Sequence, residues 1–205
     1  DTLFIGELAL DGKLQPVNGA LSMVILAHEL GIRKVVLPIA NAREVEVVSG
    51  MEVHPASSLY EVAQHISGKL HIPAQVQKNY EEYLTGNTFE TDLSQVRGQQ
   101  VARRALEIAA AGGHNLFLIG VPGSGKTMLA RCLPGLLPEM KQEEAFETTR
   151  IHSAAGMLKP GSGLITQRPF RSPHHTASLA SLIGGGAHAL PGEVSLAHNG
   201  VLFLD

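Results

Sequence analysis

The chain has 205 residues, of which 44% are hydrophobic, and its formal net charge at pH 7 is −3. That length and composition suffice for a sizeable core, or for two cores of about 100 residues each. The small net charge excludes a general attraction to nucleic acid or to an anionic membrane, so any such contact requires a local basic patch.

The cysteine content and the length of the apolar runs narrow the class of protein further. The only cysteine in the sequence is Cys132, which rules out an intramolecular disulfide framework. No apolar segment approaches the length of about 20 residues that spans a bilayer, and no signal-peptide pattern begins the chain. These features predict a cytoplasmic protein that makes no membrane contact.

The first third of the chain predicts a small α/β unit in the order strand, helix, strand, helix. Residues 3–10 have strand composition and lead into the hairpin signal Asp11-Gly12. A helix follows, with Asn18 as its expected N-cap and Gly31 as the left-handed residue after its end. The remaining two elements are a strand at residues 35–37 and an amphipathic helix over residues 59–66, ending near Gly68.

The periodicity fades between residues 71 and 93, where the turn-like sequence Thr85-Gly86-Asn87 predicts a linker between domains. A second domain is predicted over residues 94–205. It begins with a helix that ends at Gly112-Gly113, followed by an apolar strand at residues 115–119. Residues 150–199 are rich in Gly, Pro, His and Ser and are predicted to form an inserted hairpin or lid.

A nucleotide-binding loop is predicted from the pattern G-x-x-x-x-G-K-[ST], which lies between the predicted strand and a helix beginning at Lys126. Its glycines permit backbone angles that aim N–H groups at phosphates, and the helix N-terminus adds partial positive charge. Lys126 is the first predicted catalytic residue, because its ammonium neutralises the β- and γ-phosphates of ATP, and Thr127 supplies a hydroxyl to Mg²⁺. The alternative is a glycine-rich turn that binds nothing. The predicted nucleotide-binding residues are Gly120, Val121, Pro122, Gly123, Ser124, Gly125, Lys126 and Thr127.

Asp205 is the second predicted catalytic residue and, with Thr127, the second predicted contributor to the Mg²⁺ site. Residues 201–204 are a continuous apolar run, as expected of a central parallel strand that delivers Asp205 to the carboxyl edge of a sheet. An aspartate after a strand is often only a cap or turn residue, so its metal role depends on the nucleotide-binding loop. Because the sequence stops in this strand, we expect the ATPase domain to be truncated there and the isolated fragment to hydrolyse ATP weakly.

Beyond these motifs, two blocks of sequence resemble the magnesium-chelatase-like branch of the AAA+ ATPases, and specifically the ComM/YifB family. Residues 168–178, Gly184-Gly185-Gly186 and residues 191–205 carry the long match, and Val96-Arg97-Gly98-Gln99 is similar to the family segment that lies against the nucleotide base. The resemblance implies a hexameric AAA+ ATPase that uses ATP and Mg²⁺. It further implies a DNA-dependent motor, of the helicase or branch-migration type, that acts in natural transformation.

The first domain resembles the C-terminal part of the Lon protease fold, through residues 6–12, 16–19, 28–31 and 35–38. In active members a lysine activates a serine, and the matching position here is Leu21, so protease activity is not expected. This part is interpreted as a scaffold or partner-binding module. The implied architecture is part of a Lon-protease-like α/β domain at 1–70, a linker at 71–93, and the N-terminal part of an AAA+ parallel-sheet domain at 94–205.

Other functions stay open on sequence alone: a magnesium-chelatase-type ATPase subunit, a protein-remodelling ATPase, or a protein in which nucleotide only orders an assembly surface. In the predicted insert, Lys159, Arg168 and Arg171 are predicted DNA contacts, the alternative being a solvated hairpin with incidental basic residues. The pair His174-His175 lacks the spaced further ligands that zinc requires, which favours a surface or hydrogen-bonding role.

Overall fold

The computed structural model describes residues 1–84, 91–185 and 189–205. By its internal contacts the chain divides into two compact units. Unit 1 consists of Asp1–Thr85 and Phe146–Ile165, and unit 2 of Gly86–Ala145 and Thr166–Asp205. Both units mix helices and strands, so the chain is α/β, as the sequence predicts. The predicted linker turn at residues 85–87 lies outside the described residues.

Unit 1 is built on a three-stranded parallel sheet with a small hairpin beside it. Its strands are β1 (Thr2–Phe4), β2 (Glu7–Leu8), β3 (Leu14–Gln15), β4 (Lys34–Pro38) and β5 (Glu52–Ala56), and the sheet order is β1-β4-β5. The central strand β4 is buried on both faces, because Val35, Val36 and Leu37 are each at most 3% exposed. A run of adjacent buried apolar residues is what a parallel strand covered on both sides requires.

The predicted strand over residues 3–10 is divided into two separate strands. Gly6, at φ 153°, lies between β1, which pairs in parallel with β4, and β2, which pairs antiparallel with β3. The turn predicted at Asp11-Gly12 is confirmed, since it joins β2 to β3 with Gly12 at φ 82°.

Four helices of unit 1 are α1 (Ala20–Glu29), α2 (Ile39–Val45), α3 (Leu59–Ile66) and α4 (Glu81–Leu84). The predicted N-cap of α1 is wrong by one residue: the cap is Gly19, in the left-handed conformation and without a side-chain hydrogen bond. The predicted end at Gly31 is confirmed, with φ 85°. Helix α3 also forms where expected, and Ser58 caps it by accepting a hydrogen bond from the Glu61 N–H.

Among the elements of unit 1 that were not predicted are α2 and β5. Both carry buried polar groups that interrupt the apolar periodicity on which sequence prediction depends: Asn41 and Glu44 in α2, and His54 in β5. Each buried group has partners within the unit. Asn41, for example, exchanges two hydrogen bonds with the backbone of Val17, at 2.9 and 3.0 Å.

Unit 2 has its core between two helices that flank the predicted nucleotide-binding loop. These helices are α5 (Gln100–Gly112) and α6 (Lys126–Leu136), both as predicted. The core residues are Leu93, Val96, Leu106, Leu129 and Cys132. Helix α7 (Gln142–Ala154) follows, and the short helices α8 (Leu179–Ile183) and α9 (Glu193–Leu196) come later in the chain.

The strands in the described part of unit 2 are short and form two pairs. Strand β6 (Phe170–Arg171) lies parallel to β9 (Val201–Leu202), and β7 (Gly184–Gly185) lies antiparallel to β8 (Leu190–Pro191). The predicted insert therefore contains helices and a hairpin. Part of it, residues 150–165, belongs to unit 1 by its contacts.

The strand predicted at residues 115–119 is wrong as a hydrogen-bonded strand. The segment keeps the alternation of a strand, since Leu116 and Leu118 pack on the core while Phe117 and Ile119 are each 85% exposed. It forms no ladder with any strand among the described residues, and a strand is defined by its ladder. No helix in the described part of the chain is long and apolar enough to cross a membrane.

Candidate functional site

The loop at residues 120–125 has the backbone geometry that its glycines predict. Gly123 and Gly125 have φ of 79° and 87°, in the left-handed region that L side chains rarely adopt. Gly125 is also the N-cap of α6, so the helix begins at Lys126. The first N–H groups of a helix have no carbonyl partner within it, and they carry the positive end of the helix dipole. An anion at this loop would meet those groups directly.

The side chain of Lys126 folds back over the start of the loop. Its Nζ donates to the carbonyl oxygens of Gly120 at 2.9 Å and Val121 at 3.2 Å. The ammonium is thereby held at the mouth of the loop by two neutral acceptors. Charge-assisted bonds to phosphate oxygens are roughly twice as strong as neutral ones, so a phosphate offers this ammonium better partners than the two carbonyls.

Ser124 fixes the shape of the loop from within. Its N–H donates to the Val121 carbonyl at 3.2 Å. A side chain at Gly120 would place a Cβ 2.8 Å from the Ser124 Oγ, so that hydroxyl would have to move. The other predicted members of the loop, Val121 and Pro122, are exposed, as is Thr127 in the first turn of α6.

Gln99 is a loop-contacting residue that the predicted set of nucleotide-binding residues omits. Its Nε2 donates to the Ser124 carbonyl at 3.3 Å, and its backbone is left-handed, at φ 52°, as the N-cap of α5. The sequence pointed to Gln99 only through residues 96–99, which are similar to the family segment that lies against the nucleotide base. Nothing in the spacing of these residues indicated a bond from Gln99 to the loop.

Lys126 and Asp205 line the same cavity. Its volume is about 560 Å³, and its walls include residues 115–118 and residues 200–205. Asp205 reaches it from the end of β9, whose ladder with β6 is extended by the bond from the Phe203 N–H to the Arg171 carbonyl, at 2.8 Å. The two residues that the sequence predicts to be catalytic thus line one cavity, and their catalytic roles stay predictions.

Arg168 is engaged inside unit 2. It donates to the carbonyls of Pro138 and Asn199, both at 2.7 Å, and to the Glu144 carboxylate at 3.1 Å, with 13% of its side chain exposed. The pKa of Glu144 lies below its ordinary value because its carboxylate accepts the backbone N–H of Lys141 and faces the Arg168 guanidinium. This arrangement joins the start of α7 to the segments before β6 and β9.

Arg171 is engaged in a bidentate ion pair. Its Nε and Nη2 donate to the two carboxylate oxygens of Glu193 at 2.6 and 2.7 Å. Hydrogen bonding to that carboxylate raises the pKa of the Arg171 guanidinium. Lys159 belongs to unit 1, whereas both arginines belong to unit 2. DNA contact through these three residues stays a prediction, and for the arginines it competes with the internal bonds.

The donor set at the loop suits a magnesium–nucleotide complex. Mg²⁺ prefers oxygen ligands and binds through one or two protein groups together with substrate phosphates. The Thr127 hydroxyl and the Asp205 carboxylate offer such oxygens, and of these two residues Asp205 lines the cavity that holds Lys126. Lys126 offers the charge that phosphates require. Among the described residues, no cluster of three or more His, Cys, Asp or Glu side chains is placed to hold a metal without such a ligand.

The α/β fold with parallel strands, together with this loop, fits a P-loop-like protein. A family model described as "Magnesium chelatase, subunit ChlI" matches residues 92–205, and one described as "Subunit ChlI of Mg-chelatase" matches residues 1–41. The chain belongs to this magnesium-chelatase-like family, in the branch that contains ComM and YifB.

Two relatives show the extent of the likeness. Competence protein ComM of Haemophilus influenzae is 46% identical over 205 residues, covering 98% of this chain and 40% of the relative. A YifB protein of Escherichia coli is 46% identical over 201 residues, covering 98% of this chain and 38% of the relative. The chain therefore spans about 40% of the length of such relatives.

The expected likeness to Lon proteases is weak. Lon protease 4 of Sorangium cellulosum is 31% identical over 124 residues, which is 60% of this chain and 12% of that protein.

Proposed function

We propose that this protein binds ATP with Mg²⁺ at residues 120–127 and hydrolyses it as an AAA+ ATPase. The observation that carries the proposal is the cavity shared by Lys126, at the start of α6, and Asp205, after β9. Family membership supports it, since the match to the magnesium chelatase ChlI model covers both residues.

Each residue has a distinct role in the proposed reaction. Water attacks the γ-phosphorus of ATP, the bond from that phosphorus to the bridging oxygen breaks, and the products are ADP, inorganic phosphate and a proton released to solvent. The ammonium of Lys126 neutralises charge on the β- and γ-phosphates, and the N–H groups of the α6 N-terminus hold the phosphates in place. Bound Mg²⁺ supplies further neutralisation of the phosphate oxygens, with the Thr127 hydroxyl and the Asp205 carboxylate as the protein groups that would hold it.

At the level of the whole protein, we propose a hexameric, DNA-acting motor of the branch-migration or helicase type, active in natural transformation and located in the cytoplasm. Its support is the resemblance to the ComM/YifB family and the 46% identity to a competence protein. Residues 1–70, proposed as part of a Lon-protease-like domain, would serve as a scaffold or partner-binding module, with the linker at 71–93 and the ATPase domain from residue 94.

A second candidate is an ATPase subunit of the magnesium-chelatase type, or one that remodels proteins. The specific observation in its favour is the family model itself, which is described by magnesium chelatase. This candidate uses the same nucleotide site and differs in what the hydrolysis drives.

The test is ATP turnover by the full-length protein with and without forked DNA, beside Lys126→Ala and the matched control Lys141→Ala, a lysine of unit 2 outside the loop. Turnover that Lys126→Ala abolishes and DNA stimulates supports the motor. Turnover that depends on Lys126 and ignores DNA favours the second candidate. Equal turnover in the Lys126→Ala and unaltered proteins would remove the proposed site.

A further inference from the structure

A second group of polar side chains lies at the same sheet edge as Asp205. Strands β6 and β9 are parallel, with Phe170 opposite Val201 and Arg171 opposite Leu202. Parallel strands leave a sheet at the same edge, and ligands of α/β proteins bind at that edge. Three residues beyond the Arg171–Leu202 pair, the two segments reach His174 and Asp205.

These residues line a common cavity. It has a volume of about 480 Å³ and is bounded by Ser172, Pro173, His174, His175 and Asp205. Asp205 is therefore shared between this cavity and the one that holds Lys126. The two imidazole rings lie 4.1 Å apart, centroid to centroid, and both histidines are exposed.

Thr176 fixes the ring of His174. The Thr176 N–H donates to the His174 Nδ1 at 3.3 Å, and the Thr176 Oγ1 lies 2.7 Å from the same nitrogen. A ring nitrogen that accepts an N–H carries no proton in the neutral imidazole, so the ring proton resides on Nε2. His174 is thus held as an N–H donor, with its acceptor nitrogen occupied by its neighbour.

From this geometry we infer that His174 is a phosphate-contacting residue of the nucleotide site, and that its Nε2–H donates to an oxygen of the terminal phosphate. The inference rests on the proposed ATP site and adds a residue to it. Lys126 and the α6 N-terminus would meet the phosphates from one side, and His174 would meet the terminal phosphate from beside Asp205. A donor aimed at the transferred phosphoryl group stabilises the charge that develops on it.

The experiment compares His174→Leu, which removes the donor, with His174→Gln, which retains an N–H donor. His71→Leu, an exposed histidine of unit 1, is the matched control. Affinities of the full-length protein for ADP and for a non-hydrolysable ATP analogue are measured by calorimetry, together with kcat for ATP. We expect His174→Leu to weaken analogue binding by about fivefold, to leave ADP binding unchanged, and to lower kcat by at least about tenfold.

We expect His174→Gln to recover part of the analogue affinity and part of kcat. We expect His71→Leu to lose neither. Unchanged analogue affinity and kcat in His174→Leu, with nucleotide binding still dependent on Lys126, would overturn the inference and leave the proposed function intact. An equal loss of ADP and analogue binding would also overturn it, because it shows general damage to the site. Absence of nucleotide binding in the unaltered protein would overturn both.

Discussion

The backbone N–H of Gly19 donates to the Oγ of Ser153 at 2.8 Å, although the two residues are 134 positions apart in the chain. Ser153 in turn donates to the Glu44 carboxylate at 2.9 Å, and all of these atoms are buried. Asn41 donates to the other carboxylate oxygen, at 2.8 Å. This network holds the end of α7 within unit 1.

Ser153→Ala should destabilise unit 1. The substitution removes the partner of the Gly19 N–H and one donor to Glu44, and an unsatisfied buried polar group costs about 1–3 kcal/mol. We expect a loss of that size in the free energy of unfolding, measured by urea denaturation. Ser67→Ala is the control, because Ser67 is exposed and its hydroxyl donates to the nearby Gln64 carbonyl. Equal stability of the two variants would contradict the role given to the network.

Glu44 should make unit 1 less stable as the pH rises. Burial raises the pKa of Glu44 above its ordinary value of 4.5, and the bonds from Asn41 and Ser153 lower it by less. Glu44 then binds its proton more tightly in the folded state than in the unfolded state. Its contribution to the free energy of unfolding is therefore full below pH 4.5 and is lost as the pH rises through the pKa of Glu44 in the folded state.

The measurement is thermal unfolding between pH 4 and pH 8 for the unaltered protein and for Glu44→Gln. The glutamine variant keeps the acceptor for Asn41 without a charge, so its stability should fall less over this range. A steeper fall in the variant would refute the assignment.

Arg171→Ala should lower the free energy of unfolding by about 1–2 kcal/mol, because it leaves the half-buried Glu193 carboxylate without its bidentate partner. Glu193→Gln separates this structural role from the predicted DNA contact. If Arg171 contacts DNA, weakening its internal pair should raise DNA affinity while stability falls. If the pair is purely structural, Glu193→Gln lowers stability and leaves DNA affinity unchanged in filter binding.

Gly120→Ala should weaken nucleotide binding a few-fold, and Ser124→Ala should suppress the effect. The added Cβ lies 2.8 Å from the Ser124 Oγ but 3.6 Å from its Cβ, so the clash concerns the hydroxyl alone. Moving that hydroxyl off its rotamer costs of order 0.5–1.5 kcal/mol. A double-mutant cycle on ATP affinity measures the coupling, and additive effects of the two substitutions would contradict it.

The sequence was most informative where function restricts the backbone. The glycines before Lys126 and the start of α6 follow from the loop pattern, since few conformations satisfy it. Helices α3 and α5 follow from apolar periodicity and from the glycines near their ends. Local chemistry suffices for such elements.

Elements with buried polar groups or non-local pairing could not be predicted from the sequence. Strand β5 contains His54, whose Nδ1 lies 2.8 Å from the Ile72 carbonyl, and no pattern of apolar residues indicates such a partner. The bond between Gly19 and Ser153 joins residues too distant for any local rule. Residues 115–119 show the reverse case, in which the strand pattern is present and the ladder is not.

The two bonds from Lys126 to the carbonyls of Gly120 and Val121 set a threshold for any ligand. The ammonium has three N–H donors, so an incoming anion gains all of them only by replacing both carbonyls. A monovalent anion such as chloride offers one charge, already well hydrated, and has little to gain by the exchange. A polyphosphate offers several charges and many acceptor oxygens at once. The loop would therefore favour ligands of high charge density over the abundant small anions of a cell.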